Sequence, residues 1–391
     1  MQYRELGKTG EKVSQIGFGL MRLPVLNEDQ TKIDTKKADE MLAYGIDNGI
    51  NLLDTGFDYH GKCLDEEGGA SEPFLSEFLD TGYREKVLIS SKLPLYPINK
   101  KEDLDYYFNK QLERLNTDCI DIYMLHGIKT NLWGKLMFTG YLSEFLDNLL
   151  AEGKVKHIGF SHHGDYELFQ KVMDYYDKWE VVLTQMNYLD TQYKNGKKTI
   201  DYVGEKGLGN MIMEPLRGGT LVNNLPPKVQ ELMNSSDHIQ SPIEWGLGYL
   251  WNMPHVNCVL SGMSTLDQVK SNIEIANKAT PGYFTDEDNK ILKKITNAFR
   301  KYSEIPCTYC NYCMPCSHGV NIPKIFHEYN ESIVFDKPGH VSQQYFDVID
   351  EKSRADKCIT CAQCNEECPQ DIDIMNELKK VEEYFKNSMH H

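Results

Sequence analysis

The sequence predicts an α/β protein: a (β/α)8 TIM barrel followed by a small α-helical, cysteine-rich C-terminal domain. Three observations predict it. From about Ile16 to Ile275, short apolar runs alternate with longer amphipathic stretches, and strand–helix alternation implies a parallel sheet. Eight such apolar runs can be counted, which fits a barrel better than the runner-up, a doubly wound open sheet. No G-x-G-x-x-G turn opens the first unit, as that runner-up would favour. Finally, eight of the eleven cysteines fall in two tight runs near the C-terminus.

The predicted strands, in order, are Ile16-Gly17-Phe18-Gly19, Asn51-Leu52-Leu53-Asp54, Val87-Leu88-Ile89-Ser90, Ile120 to Leu125, His157 to Ser161, Val181 to Gln185, Asn210 to Met213 and Cys258 to Ser261. Between them the spacing predicts helices such as Asp34 to Asn48, Lys101 to Leu115 and Leu266 to Ala276. The barrel closes near Ala279-Thr280-Pro281-Gly282. A helix over Asp286 to Arg300 follows, and Ile305-Pro306 opens the cysteine-rich part. Short helices over Ile322 to Tyr329 and Val341 to Ile349 separate the two cysteine runs. The expected domains are therefore 1–300 and 301–391.

Bulk properties exclude several functions. A chain of 391 residues buries a large core. A net charge of −16 argues against a nucleic-acid partner, whose phosphates need a basic face. No apolar run reaches the roughly 18 residues of a membrane span. Met1-Gln2-Tyr3-Arg4-Glu5 lacks the charged-then-apolar pattern of a signal peptide. The expected compartment is the cytoplasm, whose reducing interior suits thiolate ligands.

The first cysteine run reads Cys307-x2-Cys310-x2-Cys313-x2-Cys316 and the second Cys358-x2-Cys361-x2-Cys364-x3-Cys368, followed by Pro369. The second is the bacterial ferredoxin spacing for iron–sulfur ligation, in which the fourth cysteine serves the other cluster of a pair. Four-cysteine zinc sites instead pair two C-x2-C units across a longer gap. The reading is a ferredoxin-like domain with two [4Fe-4S] clusters. By the exchange rule, Cys307, Cys310, Cys313 and Cys368 hold one cluster, and Cys358, Cys361, Cys364 and Cys316 the other. The first run departs from the pattern at its last step, and Ser317 stands where proline is usual. One cluster with a degenerate half-site is the alternative. Of the other cysteines, Cys119 and Cys258 read as buried small hydrophobes and Cys63 as a bystander loop thiol.

In a barrel, reactive residues gather at the C-terminal ends of the strands. The second predicted strand ends in Asp54, with Tyr59 five residues on, the third in Lys92 and the fourth in His126. Each has an ordinary structural alternative: a turn cap, a solvated charge, a satisfied buried imidazole. All four at neighbouring strand ends make a site.

With these residues the chain resembles an aldo-keto reductase. The resemblance rests on Asn51 to Thr55 with Tyr59, Gly69-Ala70-Ser71-Glu72, Ser90-Ser91-Lys92, Asp121 to His126, Gly159-Phe160-Ser161, Gln185-Met186-Asn187 and Gly262 through Asn272. Gly17-Phe18-Gly19 and a preceding hairpin over Tyr3 to Val13 match as well. Residues 1–300 are covered, and the branch with a ferredoxin-like extension is the most similar. The resemblance implies a small-molecule carbonyl substrate and a catalytic tetrad. Tyr59 is then the proton donor. Lys92 is the cation that lowers its pKa from about 10. Asp54 holds Lys92, and His126 orients the substrate oxygen.

The implied cofactor is NADP or NAD. Ser161 and Gln185 match the family's nicotinamide contacts, but His162 stands where asparagine is usual. After the seventh strand, Met213 replaces a stacking aromatic residue and is followed by Pro215, Leu216, Arg217 and Gly218, of which Arg217 is either a pyrophosphate contact or an ordinary surface charge. After the eighth strand, the basic residues that grip a 2′-phosphate are missing. Ser264, Gln268 and Asn272 remain as contacts, and Lys270 is the nearest cation. The departures leave room for a flavin.

Clusters pass single electrons, whereas a nicotinamide passes hydride. Three functions stay open: a carbonyl reductase with structural or electron-transferring clusters; a reductase fed by ferredoxin or another redox protein; and a non-enzymatic redox sensor. The loop Gly127 to Gly140, with Trp133 and Phe138, suggests an apolar substrate pocket, and the loop His60 to Gly69 its entrance.

Overall fold

The computed structural model describes residues 1–61, 67–191, 196–302, 304–307, 313–334, 345–346, 349–368, 370 and 372–388. Expectations for Cys63, Cys310, Pro369 and most of 341–349 lie outside these residues.

An antiparallel hairpin, β1 (Tyr3–Glu5) and β2 (Lys12–Ser14), opens the chain. Eight parallel strands follow: β3 (Ile16–Gly19), β4 (Leu52–Asp54), β5 (Leu88–Leu93), β6 (Ile120–Ile128), β7 (Val155–His162), β8 (Val181–Gln185), β9 (Gly209–Met213) and β10 (Cys258–Ser261). They close as a barrel in the order β10-β3-β4-β5-β6-β7-β8-β9, which rules out the open sheet. Leu52, Ile122, Met124, Val181, Leu183, Met211, Cys258 and Leu260 fill its interior. Leu6 and Val13 of the hairpin join the same cluster and stopper the barrel. Gly209, at the start of β9, leaves room for them: a Cβ there would lie 2.8 Å from the Leu6 side chain.

The outer helices follow the predicted periodicity. Thr35–Asp47 buries Ala38, Met41, Leu42, Gly45 and Ile46, one stripe at helical spacing. The Asp34 carboxylate caps it by accepting the N–H of Lys37. Lys101–Leu115 ends where Asn116 turns left-handed at φ 47°.

Two differences concern strand ends. β6 runs on to Ile128, so His126 lies within it and not at its end. The β6–β7 register shifts between Leu125 and Ile128, and such an irregularity re-aims a side chain. Cys119, expected buried, is half-exposed at the start of β6, whereas Cys258 is fully buried.

The chain divides into two compact units, 1–218 with 246–284, and 219–245 with 285–391. The second contains helices Asp286–Tyr302, Ile322–Val334 and Ile374–Ser388. Its core includes Ile305, Ile325, Phe326, Tyr345, Leu378 and Phe385.

Candidate active site

Period-two alternation along a strand places Ser90 and Lys92 on one face of β5, and the register sets Ser90 opposite Asp54 of β4. The result is a buried ion pair: Lys92 Nζ lies 2.7 Å from Asp54 Oδ2. Ser90 Oγ donates to the other carboxylate oxygen at 2.9 Å. Lys92 also donates to the Thr55 carbonyl at 2.6 Å. Both lone-pair sites and the ammonium are thus engaged, as a buried pair requires.

Tyr59 stands over this pair, with Lys92 Nζ 4.7 Å from its ring centroid. The His126 ring meets it edge-on at 5.8 Å between centroids. His126 Nδ1 lies 3.4 Å from Asp58 Oδ1. The four expected residues therefore come together at one mouth of the barrel.

The electrostatics differ from expectation in one respect. Burial pushes the Tyr59 phenol up to about 12, and Asp54 and Asp58 add to that; Lys92 opposes the rise without cancelling it. The phenol is neutral at pH 7, the protonation state a donor needs. Burial also opposes the charge on Lys92, but Asp54 and Tyr59 outweigh it and hold the ammonium above its ordinary value. Burial lowers His126 below the ordinary imidazole value, against the pull of Asp58.

Behind the tetrad, Glu72 is fully buried. Its Oε1 accepts from Ser91 Oγ at 2.7 Å and Gln111 Nε2 at 2.6 Å, and its Oε2 from Arg114 Nε at 2.8 Å. Gln111 donates in turn to the Lys92 carbonyl. Sequence reasoning quoted Glu72 only within a motif. Ser90 and Thr55 likewise stood only within motifs, Ser90 with the further signal of its spacing of two from Lys92, and Asp58 was passed over.

The expected cofactor residues line the neighbouring strand ends. Ser161 is buried at the end of β7, and its oxygen accepts the Gly127 N–H at 2.7 Å, leaving its hydroxyl hydrogen to donate. His162 bonds the Asp165 carbonyl through Nε2. Gln185 and Met213 are half-buried and opposite each other in register. These polar groups around a rim suit a carboxamide-bearing ring. Pro215 is buried and Leu216 half-buried in the turn that follows. Arg217 is drawn into an ion pair with Asp190 at 2.9 Å, both largely buried. Ser264 N–H donates to Gln268 Oε1. The Asn272 amide donates to Ser261 Oγ inside the wall. Lys270 lies over the Tyr44 ring.

The 127–140 segment is not an open loop. It forms the helix Thr130–Phe138, with Trp133 buried against Tyr175, ring centroids 5.4 Å apart, and Phe138 90 % exposed. Most of the loop after Gly61 lies outside the described residues. A separate cavity of about 370 Å³, lined by Tyr166, Lys197, Lys198 and Tyr202 among others, shares no residue with the tetrad.

In the second unit, Cys316, Cys358, Cys361 and Cys364 line one pocket with Ile322 and Leu378. This is the set that the exchange rule assigns to one cluster. Burial, then the neighbouring thiols of Cys358, Cys316 and Cys361, raise Cys364 above an ordinary thiol. Four soft donors around one pocket suit a cluster. Cys307, Cys313 and Cys368 are half-buried against the same core.

A closed parallel barrel carrying this site belongs to the (β/α)8 oxidoreductases. Residues 15–297 match the aldo/keto reductase family, and the chain is a member of it. Residues 306–373 match a 4Fe-4S dicluster domain. The chain is 27 % identical over 327 residues to Protein tas of Escherichia coli, covering 70 % of this chain and 92 % of that one. It is 28 % identical over 305 residues to L-galactose dehydrogenase of Arabidopsis thaliana, covering 70 % and 87 %. Aldo-keto reductase AKR11C1 from Bacillus halodurans shares the fold, with a TM-score of 0.61 at 24 % identity over 75 % of this chain and 96 % of that one. No helix among the described residues is long and apolar enough to cross a membrane.

Proposed function

We propose that the barrel domain, residues 1–300, interconverts a small carbonyl compound and its alcohol with NADP or NAD, and that Tyr59 exchanges the proton. The observation that carries this is the neutral Tyr59 phenol beside the buried Lys92–Asp54 pair. Ser161, His162, Gln185 and Met213 would hold a nicotinamide at the rim, and that group, when bound, would supply the hydride. The protein's own residues do the rest. His126, neutral and angled toward Tyr59, orients the substrate oxygen by hydrogen bonding. Tyr59 releases its proton to that oxygen as negative charge develops there. Lys92, fixed by Asp54 and the Thr55 carbonyl, stabilises the phenolate left behind.

In residues 301–391, Cys316, Cys358, Cys361 and Cys364 hold one [4Fe-4S] cluster and Cys307, Cys310, Cys313 and Cys368 the other. One observation favours a second reading. Cys361 is exposed at the rim of its pocket and Ile359 beside it is 56 % exposed. A cluster there lies within reach of ferredoxin or another small redox protein, which feeds single electrons to a flavin or substrate in the barrel. The proposed setting is the cytoplasm.

An anaerobic titration of the protein with NADPH, then NADH, followed at the visible absorption of the clusters, separates these readings. Unbleached clusters, together with carbonyl reduction that Tyr59→Phe abolishes, support the carbonyl reductase. Bleaching without substrate, or activity only with reduced ferredoxin or a viologen dye, supports the second reading.

A further inference from the structure

The seventh and eighth barrel strands, β9 and β10, lead into the loops where barrels of this architecture commonly bind phosphate. The cations that the sequence offers near these loops are engaged elsewhere: Arg217 pairs with Asp190, and Lys270 lies over Tyr44. A third cation reaches the place from a distant part of the chain. Barrel closure pairs β10 with β3, Ser261 opposite Phe18, so the turn after β3 lies beside the loop after β10. Ser264 Oγ donates to the Arg22 carbonyl at 2.7 Å and fixes that turn.

From there the Arg22 side chain runs flat over Gly262. A Cβ on Gly262 would lie 3.1 Å from Arg22 Cδ and 3.3 Å from Arg22 Cβ. The guanidinium end comes within 3.4 Å of where a Cβ on Gly218 would sit. Gly218 has φ 62°, follows Arg217 at φ 52°, and is itself exposed. Two glycines thus leave the arginine's path open, and the guanidinium ends between the loops after β9 and β10. Arg22 is exposed, and among the described residues it forms no salt bridge. An exposed guanidinium with no ion-pair partner among the described residues, in this place on a chain of net charge −16, calls for an anion.

We propose that Arg22 is the cation that binds the pyrophosphate bridge of the dinucleotide. This rests on the nicotinamide reading of the site. The bridge, and not a ribose 2′-phosphate, is the partner because the Arg22 guanidinium ends at Gly218, between the loops after β9 and β10 where barrels of this architecture commonly seat phosphate. The group is common to NADPH and NADH, so Arg22 adds affinity for both without choosing between them.

The test is dinucleotide binding to the anaerobic, cluster-containing protein, read from nicotinamide fluorescence, for wild type, Arg22→Gln and Arg22→Lys. Inorganic pyrophosphate is titrated separately by calorimetry. Arg22→Gln is expected to weaken NADPH and NADH alike by about tenfold, the scale of one charge-assisted bidentate contact. Arg22→Lys is expected to recover part of the loss, and melting temperatures to stay level because the side chain is exposed. Equal affinities in wild type and Arg22→Gln overturn the proposal, and so does a loss confined to NADPH. If wild type binds neither dinucleotide, the nicotinamide reading fails, and pyrophosphate alone then decides for Arg22. Its Arg22-dependent binding keeps a phosphate role, and its indifference to Arg22→Gln removes one.

Discussion

The oxygen of Ser161 accepts the backbone N–H of Gly127 at 2.7 Å, tying the end of β7 to the residue that follows His126. A residue of the expected nicotinamide rim is therefore fastened to the one expected to orient substrate. Ser161→Ala leaves the Gly127 N–H without this partner and loosens His126. Carbonyl turnover is expected to fall by about tenfold, with dinucleotide affinity changed less, since Gln185 and His162 remain. Separate measurement of kcat and of dinucleotide Kd checks this. A loss in Kd alone would assign Ser161 to binding only.

The protonation states set the pH profile. Tyr59 lies up at about 12, so the donor stays protonated through the ordinary working range. His126 is held below the ordinary 6.5 by burial, so it is neutral above that value and charged only at lower pH. Carbonyl reduction at saturating dinucleotide is expected to be level from about pH 7 to about pH 10, with a decline only on the acid side. His126→Gln should remove that acid decline while lowering the plateau. A basic limb centred near pH 8 in the wild-type profile would contradict a neutral Tyr59.

Glu72 is a structural keystone behind the site. Glu72→Ala removes acceptors from Ser91, Gln111 and Arg114 at once, in a fully buried place. The cost is expected to be about 3–5 kcal/mol, the range for leaving buried polar and charged partners uncompensated. Glu72→Gln, which keeps the shape and one acceptor, should cost less. Denaturant midpoints of wild type and the two variants give the comparison, and a Glu72→Ala midpoint equal to wild type would show that the network contributes nothing.

In the cluster loop, Thr360 and Ala362 both adopt left-handed backbone, at φ 58° and 65°. A Cβ there costs roughly 1–2 kcal/mol. Ala362→Gly is expected to relieve part of this and to slow iron loss to a chelator under anaerobic conditions. Cys361→Ser, by contrast, should lower bound iron from about eight to about four per chain. An Ala362→Gly protein that releases iron faster would show that the strain is not the limiting feature.

Much of this architecture was legible in the sequence, because the barrel repeats one rule eight times: a short apolar run, then an amphipathic helix. Asp54, Tyr59 and Lys92 could be found by looking at strand ends. His126 was placed one step too simply, since the irregularity after Leu125 depends on how β6 meets β7 and leaves no mark in composition. The segment carrying Trp133 and Phe138 read as a loop, whereas it forms a helix that buries the first ring and exposes the second, an outcome its composition does not reveal. Arg22 was passed over for a different reason. Its partners Gly218, Gly262 and Ser264 lie far along the chain and become neighbours only when the last strand meets the first. The fate of Arg217 was hidden in the same way, decided by where Asp190 falls.

The hairpin at the start of the chain gives the barrel a floor. With Leu6 and Val13 seated against the interior cluster, the barrel is closed at its base. Whatever reaches Tyr59 enters and leaves by the opposite rim, because side chains fill the axis between the two ends. Shortening the chain by its first fifteen residues would uncork the base, let water reach the axis from below, and cost the reaction the dry chamber in which its charges act.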